Sequence, residues 1–417
     1  MAVILLKNRT IKPLTGNFAV SEAMRQINPD VVAAYPITPQ TEIMQIFSSF
    51  VSNGYVDSEL ITAESEHSAL SACVGAAVSG ARAMTATAGP GLALMWEILG
   101  IASGMRAPMV LQLVNRALSA PINIHCDHSD AMGARDQGWI QVFAEDAQEA
   151  YDNLIQSVKV AEKVYLPVMS CMDGFIVSHA IDRVSLLADE EVREFVGEYK
   201  YPYSMLSKNV THGAIAMTDS YFEFKHQQRL AMDEVKKAIK EVSKEYRELL
   251  ESQDNLKEWE IEKRVLKFVE PYKIEDAEII LVAMGSAAGT IKYVIDKLRE
   301  EGKKIGLLKI KIFRPFPYDE VSKYLENAKI IGVLDRAETF GGKGGPLLSE
   351  IITALYLKGI HKPIRNFIYG LGGRDFNINH VKEVIDILER TLKGENTPFL
   401  SYINLRKDYL DALQKQK

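Results

Sequence analysis

Apolar positions along this chain follow two different periods. Val20, Ala23, Met24 and Ile27 advance by three and four residues and stop before Asn28-Pro29, which predicts an amphipathic helix ending at that turn. Short, nearly continuous apolar stretches follow at 31–35 (Val-Val-Ala-Ala-Tyr), 59–63 (Glu-Leu-Ile-Thr-Ala), 82–87 (Arg-Ala-Met-Thr-Ala-Thr), 108–114 (Pro-Met-Val-Leu-Gln-Leu-Val) and 166–172 (Leu-Pro-Val-Met-Ser-Cys-Met). Their length and content suit strands buried on both faces. Helix-like runs lie between them: Thr41 to Phe50, the alanine-rich Ser68 to Ser79, and Leu92 to Gly104. Such alternation implies right-handed crossovers and a mainly parallel, doubly wound sheet, in which ligands bind beyond the carboxyl ends of the strands.

Residues 175–224 lose this periodicity and read as an irregular connection wrapping the first domain. Met232, Val235, Ile239, Val242, Tyr246 and Leu249 then form one apolar stripe amid Lys and Glu, the mark of a charged helix packed on one face. A second α/β unit begins near Asp276, with strands expected at 278–283, 306–312 and 329–334 and a helix over Ile291 to Leu298. The division expected is therefore 1–224 for an α/β domain with its irregular extension, 225–270 for a charged helical linker, and 271–417 for a second α/β domain.

Composition narrows the function classes. The 417 residues are 47% hydrophobic and 25% charged, as in soluble globular proteins of two or three domains. A formal net charge of −6 supplies no basic excess to displace counterions, so nucleic acid is not an expected partner. No uncharged run approaches the length needed to span a bilayer, and the first residues lack a signal-peptide pattern, so no membrane association is expected. Cys73, Cys126 and Cys171 are widely spaced and form no CxxC pair, which suits a reducing cytoplasm.

Several groups could carry chemistry. Glu66 opens a helix directly after a strand, beside the Pro36 to Thr38 turn; a carboxylate there is either a helix-dipole partner or a catalytic group. Thr38 by itself reads as a helix cap. Arg116 lies just past a strand end and, with Arg135, could grip a carboxylate or make an ordinary ion pair. His125, Cys126, Asp127, His128 and Asp130 look like metal ligands but lack a second pair elsewhere, so a structural loop is the favoured reading. The Gly285 to Gly289 turn matches neither phosphate-binding glycine motif and reads as a plain strand-to-helix turn.

Longer words of sequence carry a resemblance. Tyr35-Pro-Ile-Thr-Pro-Gln-Thr41, Glu64-Ser-Glu-His-Ser-Ala69, Thr85-Ala-Thr-Ala-Gly-Pro-Gly-Leu-Ala-Leu-Met95, Asn115-Arg-Ala-Leu-Ser-Ala120 and Asp127-His-Ser-Asp-Ala-Met-Gly-Ala-Arg135 resemble the alpha subunit of the pyruvate:ferredoxin oxidoreductases, within the 2-oxoacid:ferredoxin oxidoreductase family. Phe313-Arg-Pro-Phe-Pro317, Val333-Leu-Asp-Arg336 and Gly370-Leu-Gly-Gly-Arg-Asp375 extend the resemblance over almost the whole chain. It implies a pyrimidine-type thiamine-diphosphate-binding domain followed by a transketolase C-terminal-like α/β domain.

The resemblance also implies an activity: CoA-dependent oxidative cleavage of a 2-oxoacid, reversible, with electrons passed through iron-sulfur clusters to ferredoxin. Glu66 is then expected to bond the pyrimidine N1′ of thiamine diphosphate, favouring the imino tautomer whose nitrogen removes the C2 proton. Thr38 and Arg116 are expected to hold the substrate carboxylate, and Pro36, Ile37 and Thr87 to line the pyrimidine pocket. Relatives hold the diphosphate and Mg2+ through a Gly-Asp-Gly motif, which is absent here, and three scattered cysteines cannot supply cluster ligands. A beta subunit for the diphosphate side and gamma and ferredoxin-like delta chains or regions for the clusters are thus expected partners. Pyruvate is the first substrate expected. Ala88-Gly-Pro-Gly91 resembles the 2-oxoglutarate type, whereas Asn115 to Ala120 resembles the pyruvate type; branched-chain and aryl 2-oxoacids, and a noncatalytic scaffold role, stand as alternatives.

Overall fold

A computed structural model describes residues 4–6, 9–253 and 256–406. The outermost residues of the two expected domains (1–3, 7, 8 and 407–417) and residues 254 and 255 of the expected linker lie outside these. The chain divides into two compact units, one of residues 1–268 with 310–317, the other of 269–309 with 318–417.

In the first unit, strands Val31–Ala34, Glu59–Thr62, Ala83–Thr87, Met109–Asn115, Ile140–Ala144 and Val168–Asp173 pair in parallel. In space they run 59–62, 31–34, 83–87, 109–115, 168–173, 140–144, and a seventh strand, Ile312–Arg314, closes the far edge antiparallel to Ile140–Ala144. Every residue from Met109 to Asn115 and from Val168 to Asp173 is buried, as the near-continuous apolar runs require. Helix Gly16–Ile27 ends at Asn28 in the left-handed conformation, directly before Pro29.

Several features depart from the sequence expectation; the run read as one helix over Leu92 to Gly104, for instance, is two, Pro90–Leu94 and Trp96–Gly104. Strand Ile140–Ala144 was not anticipated. Within the stretch read as irregular, Ile181–Leu187 forms a strand that pairs antiparallel with Arg9–Thr15, and Asp189–Val196 is helical. The stretch read as one strand over 306–312 is two: Ile305–Ile310 lies in the second unit's sheet, and Ile312–Arg314 in the first. The break falls at Lys311, which is fully buried, pairs with Glu149 at 3.2 Å, and donates its backbone N–H to Phe268 O at 3.0 Å.

The charged helix spans Tyr221–Glu251 and clusters with the first unit rather than bridging freely. The reason is a buried polar anchor on helix Ala147–Val164. Asp152, 0% exposed, accepts from Tyr246 Oη at 2.5 Å and from Arg264 Nε and Nη2 at 2.9 and 2.8 Å.

In the second unit a sheet of six strands runs 269–272, 305–310, 279–283, 330–335, 364–368, 400–402 around a core that includes helices Ala287–Glu300 and Ile378–Leu392. Asp335 accepts from Leu347 N–H, Leu348 N–H and Asn366 Nδ2, which fixes the start of helix Pro346–Leu357. Arg336 donates to Gly370 O and Ser286 Oγ, both at 3.3 Å, and so ties three strand ends together.

Arg264→Leu should leave the Asp152 carboxylate buried without its cation and destabilise the chain by about 3 kcal/mol. A lowered urea midpoint at unchanged slope is the expected reading; an unmoved midpoint would show that the ion pair anchors nothing.

Candidate active site

The carboxyl edge of the first sheet is where the strand order reverses. After Val31–Ala34 the chain moves outward to Glu59–Thr62, then crosses back to Ala83–Thr87 on the other side. In open parallel sheets this reversal leaves a crevice between the two diverging connections. Thr85 Oγ1 donates to Ala33 O at 2.7 Å and holds the flanking strands together.

The turn after Val31–Ala34 is set by Gln40, which is fully buried. Its Nε2 donates to Ala86 O at 3.1 Å, its Oε1 accepts from Ile37 N–H, and its own N–H donates to Ile37 O. Pro36 and Thr38 are exposed and Ile37 is half-buried. Thr38 is not the helix cap that its position suggested: Gln40 occupies that place for helix Thr41–Ser52. The Thr38 hydroxyl makes no hydrogen bond among the described residues, and its carbonyl accepts from Arg116 Nη1 at 2.9 Å.

Glu66 is the first residue of helix Glu66–Ser79, whose N-cap Ser65 accepts from Ser68 N–H at 3.2 Å. The capping work thus falls on Ser65, leaving Glu66 for something else. It is 6% exposed, and no described residue donates a hydrogen bond to its carboxylate. Nearby, Thr87 Oγ1 is buried with no partner. The two oxygens converge on Gly91, where an added Cβ would lie 2.4 Å from Thr87 Oγ1 and 2.7 Å from Glu66 Oε1.

Arg116 follows strand Met109–Asn115 and is 8% exposed. Besides Thr38 O, it donates from Nε to Asn123 O at 3.0 Å, so two carbonyls fix the plane of the guanidinium while Nη2 has no partner among the described residues. Burial lowers its pKa and nearby Asp130 opposes that shift; the group stays charged at neutral pH. Gly89, at φ +42°, packs against it, with a Cβ position 3.0 Å from Arg116 Cβ and Cγ. The Gly89-Pro90-Gly91 turn therefore touches the arginine on one side and the glutamate on the other.

Sequence reasoning did not single out Gln40, and it named Asp130 only as one of the metal-like residues of a structural loop. Asp130, 3% exposed, accepts from Gly89 N–H (3.0 Å) and Arg116 N–H (2.9 Å) on Oδ2, and from Asn115 Nδ2 (2.9 Å) and Ala131 N–H (2.7 Å) on Oδ1. Burial pushes its carboxyl up to about 6, against the pull of the bonds from Asn115, Arg116 and Ala131. The rest of the metal-like word is also hydrogen-bonded. Cys126, His128 and Asp173 offer ligand atoms within 4.8 Å of one another, but His128 Nε2 lies 2.7 Å from Asp173 Oδ1, the separation of a hydrogen bond rather than of two ligands around an ion. Arg135 makes an ion pair with Asp136 at 3.6 Å.

A doubly wound sheet with a buried, unpartnered carboxylate and a fixed guanidinium at its point of reversal has the form of a thiamine-diphosphate-binding α/β domain. The family profile described as "Pyruvate flavodoxin/ferredoxin oxidoreductase, thiamine diP-bdg" matches residues 22–244, and that of "Pyruvate:ferredoxin oxidoreductase core domain II" matches 277–381. The chain belongs to the pyruvate flavodoxin/ferredoxin oxidoreductase family. It is 52% identical to pyruvate synthase subunit PorA of Thermotoga maritima over 89% of this chain and 93% of that one. The PorA of Methanocaldococcus jannaschii is 47% identical over 91% and 95%, and ketoisovalerate oxidoreductase subunit VorA of Pyrococcus horikoshii 40% over 92% and 95%. A solved 2-oxoglutarate:ferredoxin oxidoreductase from Magnetococcus marinus, with 2-oxoglutarate, coenzyme A and succinyl-CoA bound, shares the fold at a TM-score of 0.67 and 21% identity; it covers 90% of this chain, which spans 65% of that one.

Gly91→Ala places a methyl group against the Glu66 and Thr87 oxygens and forces them to shift; it should weaken thiamine diphosphate binding to the assembled enzyme by about a hundredfold and lower the stability of the chain by about 1–3 kcal/mol. Wild-type affinity by calorimetry would mean that the space beside Gly91 is not part of a binding site.

Proposed function

We propose that this chain is the alpha subunit of a CoA-acylating pyruvate:ferredoxin oxidoreductase and supplies the pyrimidine side of a shared thiamine diphosphate site. The observation that carries the reading is the Glu66 carboxylate, buried, without a donor among the described residues, and beside the orphaned Thr87 hydroxyl. Buried polar groups are nearly always paired, so such an arrangement fits a ligand that brings its own donors. The aminopyrimidine of thiamine diphosphate does so. Identity of 52% to a pyruvate synthase subunit over most of both chains supports the substrate.

When bound, thiamine diphosphate supplies a carbon that accepts the electron pair left as the 2-oxoacid loses carbon dioxide. The residues of this chain do the rest. Glu66 shares a proton with the ring nitrogen N1′, and its near-exclusion from water strengthens that bond. Thr87 and the backbone around Pro36 and Ile37 line the pyrimidine. Arg116, its plane fixed by two carbonyls, presents Nη2 to the substrate carboxylate, and the Thr38 hydroxyl donates a second bond.

The chain contains no Gly-Asp-Gly sequence, so the diphosphate and Mg2+ belong to a beta subunit. Clusters belong to gamma and ferredoxin-like delta partners. Cys73, Cys126 and Cys171 are all buried; burial pushes the Cys73 thiol up to about 12 and that of Cys171 well above its ordinary value, so these two stay protonated and are poor iron ligands. The likeness to a ketoisovalerate oxidoreductase subunit at 40% identity makes branched-chain 2-oxoacids the second reading.

The test is turnover of the assembled complex with CoA and a low-potential dye, offering pyruvate beside 3-methyl-2-oxobutanoate and 2-oxoglutarate. Glu66→Gln should fold and assemble but lose at least about a thousandfold in kcat, since the amide cannot exchange the proton; near-normal turnover would remove Glu66 from the reaction. Arg116→Ala should reduce kcat/KM for the 2-oxoacid by about a hundredfold or more, chiefly through KM, consistent with roughly 2–5 kcal/mol for a buried charged contact. An unchanged KM would take the substrate carboxylate elsewhere.

A further inference from the structure

We infer that Asp130 is a positioning residue that clamps the Arg116 loop to the Gly89-Pro90-Gly91 turn and so sets where the substrate carboxylate sits. The inference rests on the role of Arg116 given above. A single oxygen, Asp130 Oδ2, accepts from the backbone N–H of Gly89 at 3.0 Å and of Arg116 at 2.9 Å. These two amides lie at the ends of neighbouring strands, Ala83–Thr87 and Met109–Asn115, and the residues they carry pack against each other. The other oxygen holds Asn115 Nδ2, the last side chain of the second strand. Charge-assisted bonds of this kind are short and directional, so the carboxylate fixes the distance between two backbones that no strand pairing reaches.

Anchoring of the segment itself falls to its neighbours. Asp127 Oδ1 accepts from Ser129 N–H, Ser129 Oγ accepts from Leu118 N–H, Ala117 N–H donates to His125 O, and His128 bonds Asp173 at 2.7 Å. Helix Ser129–Gly133 has no side-chain cap bond at His128 that Asp130 would need to support. Three of the four donors that Asp130 accepts come from the two site-bearing strand ends. A change at Asp130 therefore loosens the site while the segment stays tied.

The experiment is a double-mutant cycle in the assembled complex, with Asp130→Asn, Asp130→Ala and Arg116→Ala measured singly and combined. Asp130→Ala should raise the 2-oxoacid KM about tenfold or more with a smaller change in kcat, and Asp130→Asn, which keeps one acceptor oxygen, should recover part of that loss. On the Arg116→Ala background neither change should raise KM further. Should Asp130→Ala fail to assemble, Asp130→Asn decides alone by the same comparison. Losses that multiply with that of Arg116→Ala, or an Asp130 variant with wild-type KM, would overturn the clamp while leaving Arg116 in its role. A wild-type KM for Arg116→Ala itself would overturn that role and this inference with it.

Discussion

A largely buried carboxylate without a donor is an uncomfortable group for a fold to hold, and Glu66, 6% exposed, is one. Glu66 sits on the first turn of helix Glu66–Ser79, where the exposed backbone N–H groups and aligned peptide dipoles favour negative charge by about 0.3–1 kcal/mol. A polar group wholly cut off from water without a partner costs roughly 1–3 kcal/mol, and the residual exposure of Glu66 keeps its cost below that. Ser65 caps the helix, which frees Glu66 from that task. Glycine at 91 lets the backbone come up against the two oxygens, where a Cβ would lie 2.7 Å from Glu66 Oε1 and 2.4 Å from Thr87 Oγ1.

The sheet was readable because its strands are short apolar words. Predictions for 31–35, 59–63, 82–87, 108–114 and 166–172 each fall within a residue or two of strands 31–34, 59–62, 83–87, 109–115 and 168–173. What escaped was pairing across long separations. Ile181-Asp-Arg-Val begins with exposed, charged residues and becomes a strand only because Arg9–Thr15 lies beside it. The apolar run over 306–312 looks continuous, and nothing in its composition shows that the strand breaks at Lys311, which is buried and paired with Glu149. Buried lysines break the rule that charge marks the surface, so a pattern reader has no cue for them.

The same division holds within the site. Glu66, Thr38, Arg116 and Thr87 stood in contiguous motifs and could be named; the structure brings Thr38 to Arg116 and Thr87 to Glu66, with the Gly89 to Gly91 turn between the two pairs. Gln40 and Asp130 stand in the same motifs, but they act by bonds to backbone 46 and 41 residues away in sequence, and a linear reading has no access to such partners. The word His125 to Asp130 shows the opposite error in waiting. Its residue types suggest metal, yet its side chains and backbone are spent on Leu118, Asp173, Gly89 and Arg116, neighbours that only the fold supplies.

These arrangements together explain how a site can be rigid while its central groups lack partners. Glu66 and Thr87 are held by packing and by the backbone of their own helix and strand, not by bonds to one another, so no internal pairing has to break when a ligand arrives. Arg116 is held differently: two carbonyls fix its plane and a carboxylate beneath fixes its backbone, while Nη2 points at no described partner. A ligand that satisfies the carboxylate and the hydroxyl relieves an existing deficit rather than disturbing a settled network. Its binding energy is then undiminished by reorganisation, which is the physical content of preorganisation. Because only the folded chain presents this arrangement, that energy also appears as added stability of the loaded protein, growing with the logarithm of ligand concentration above its dissociation constant.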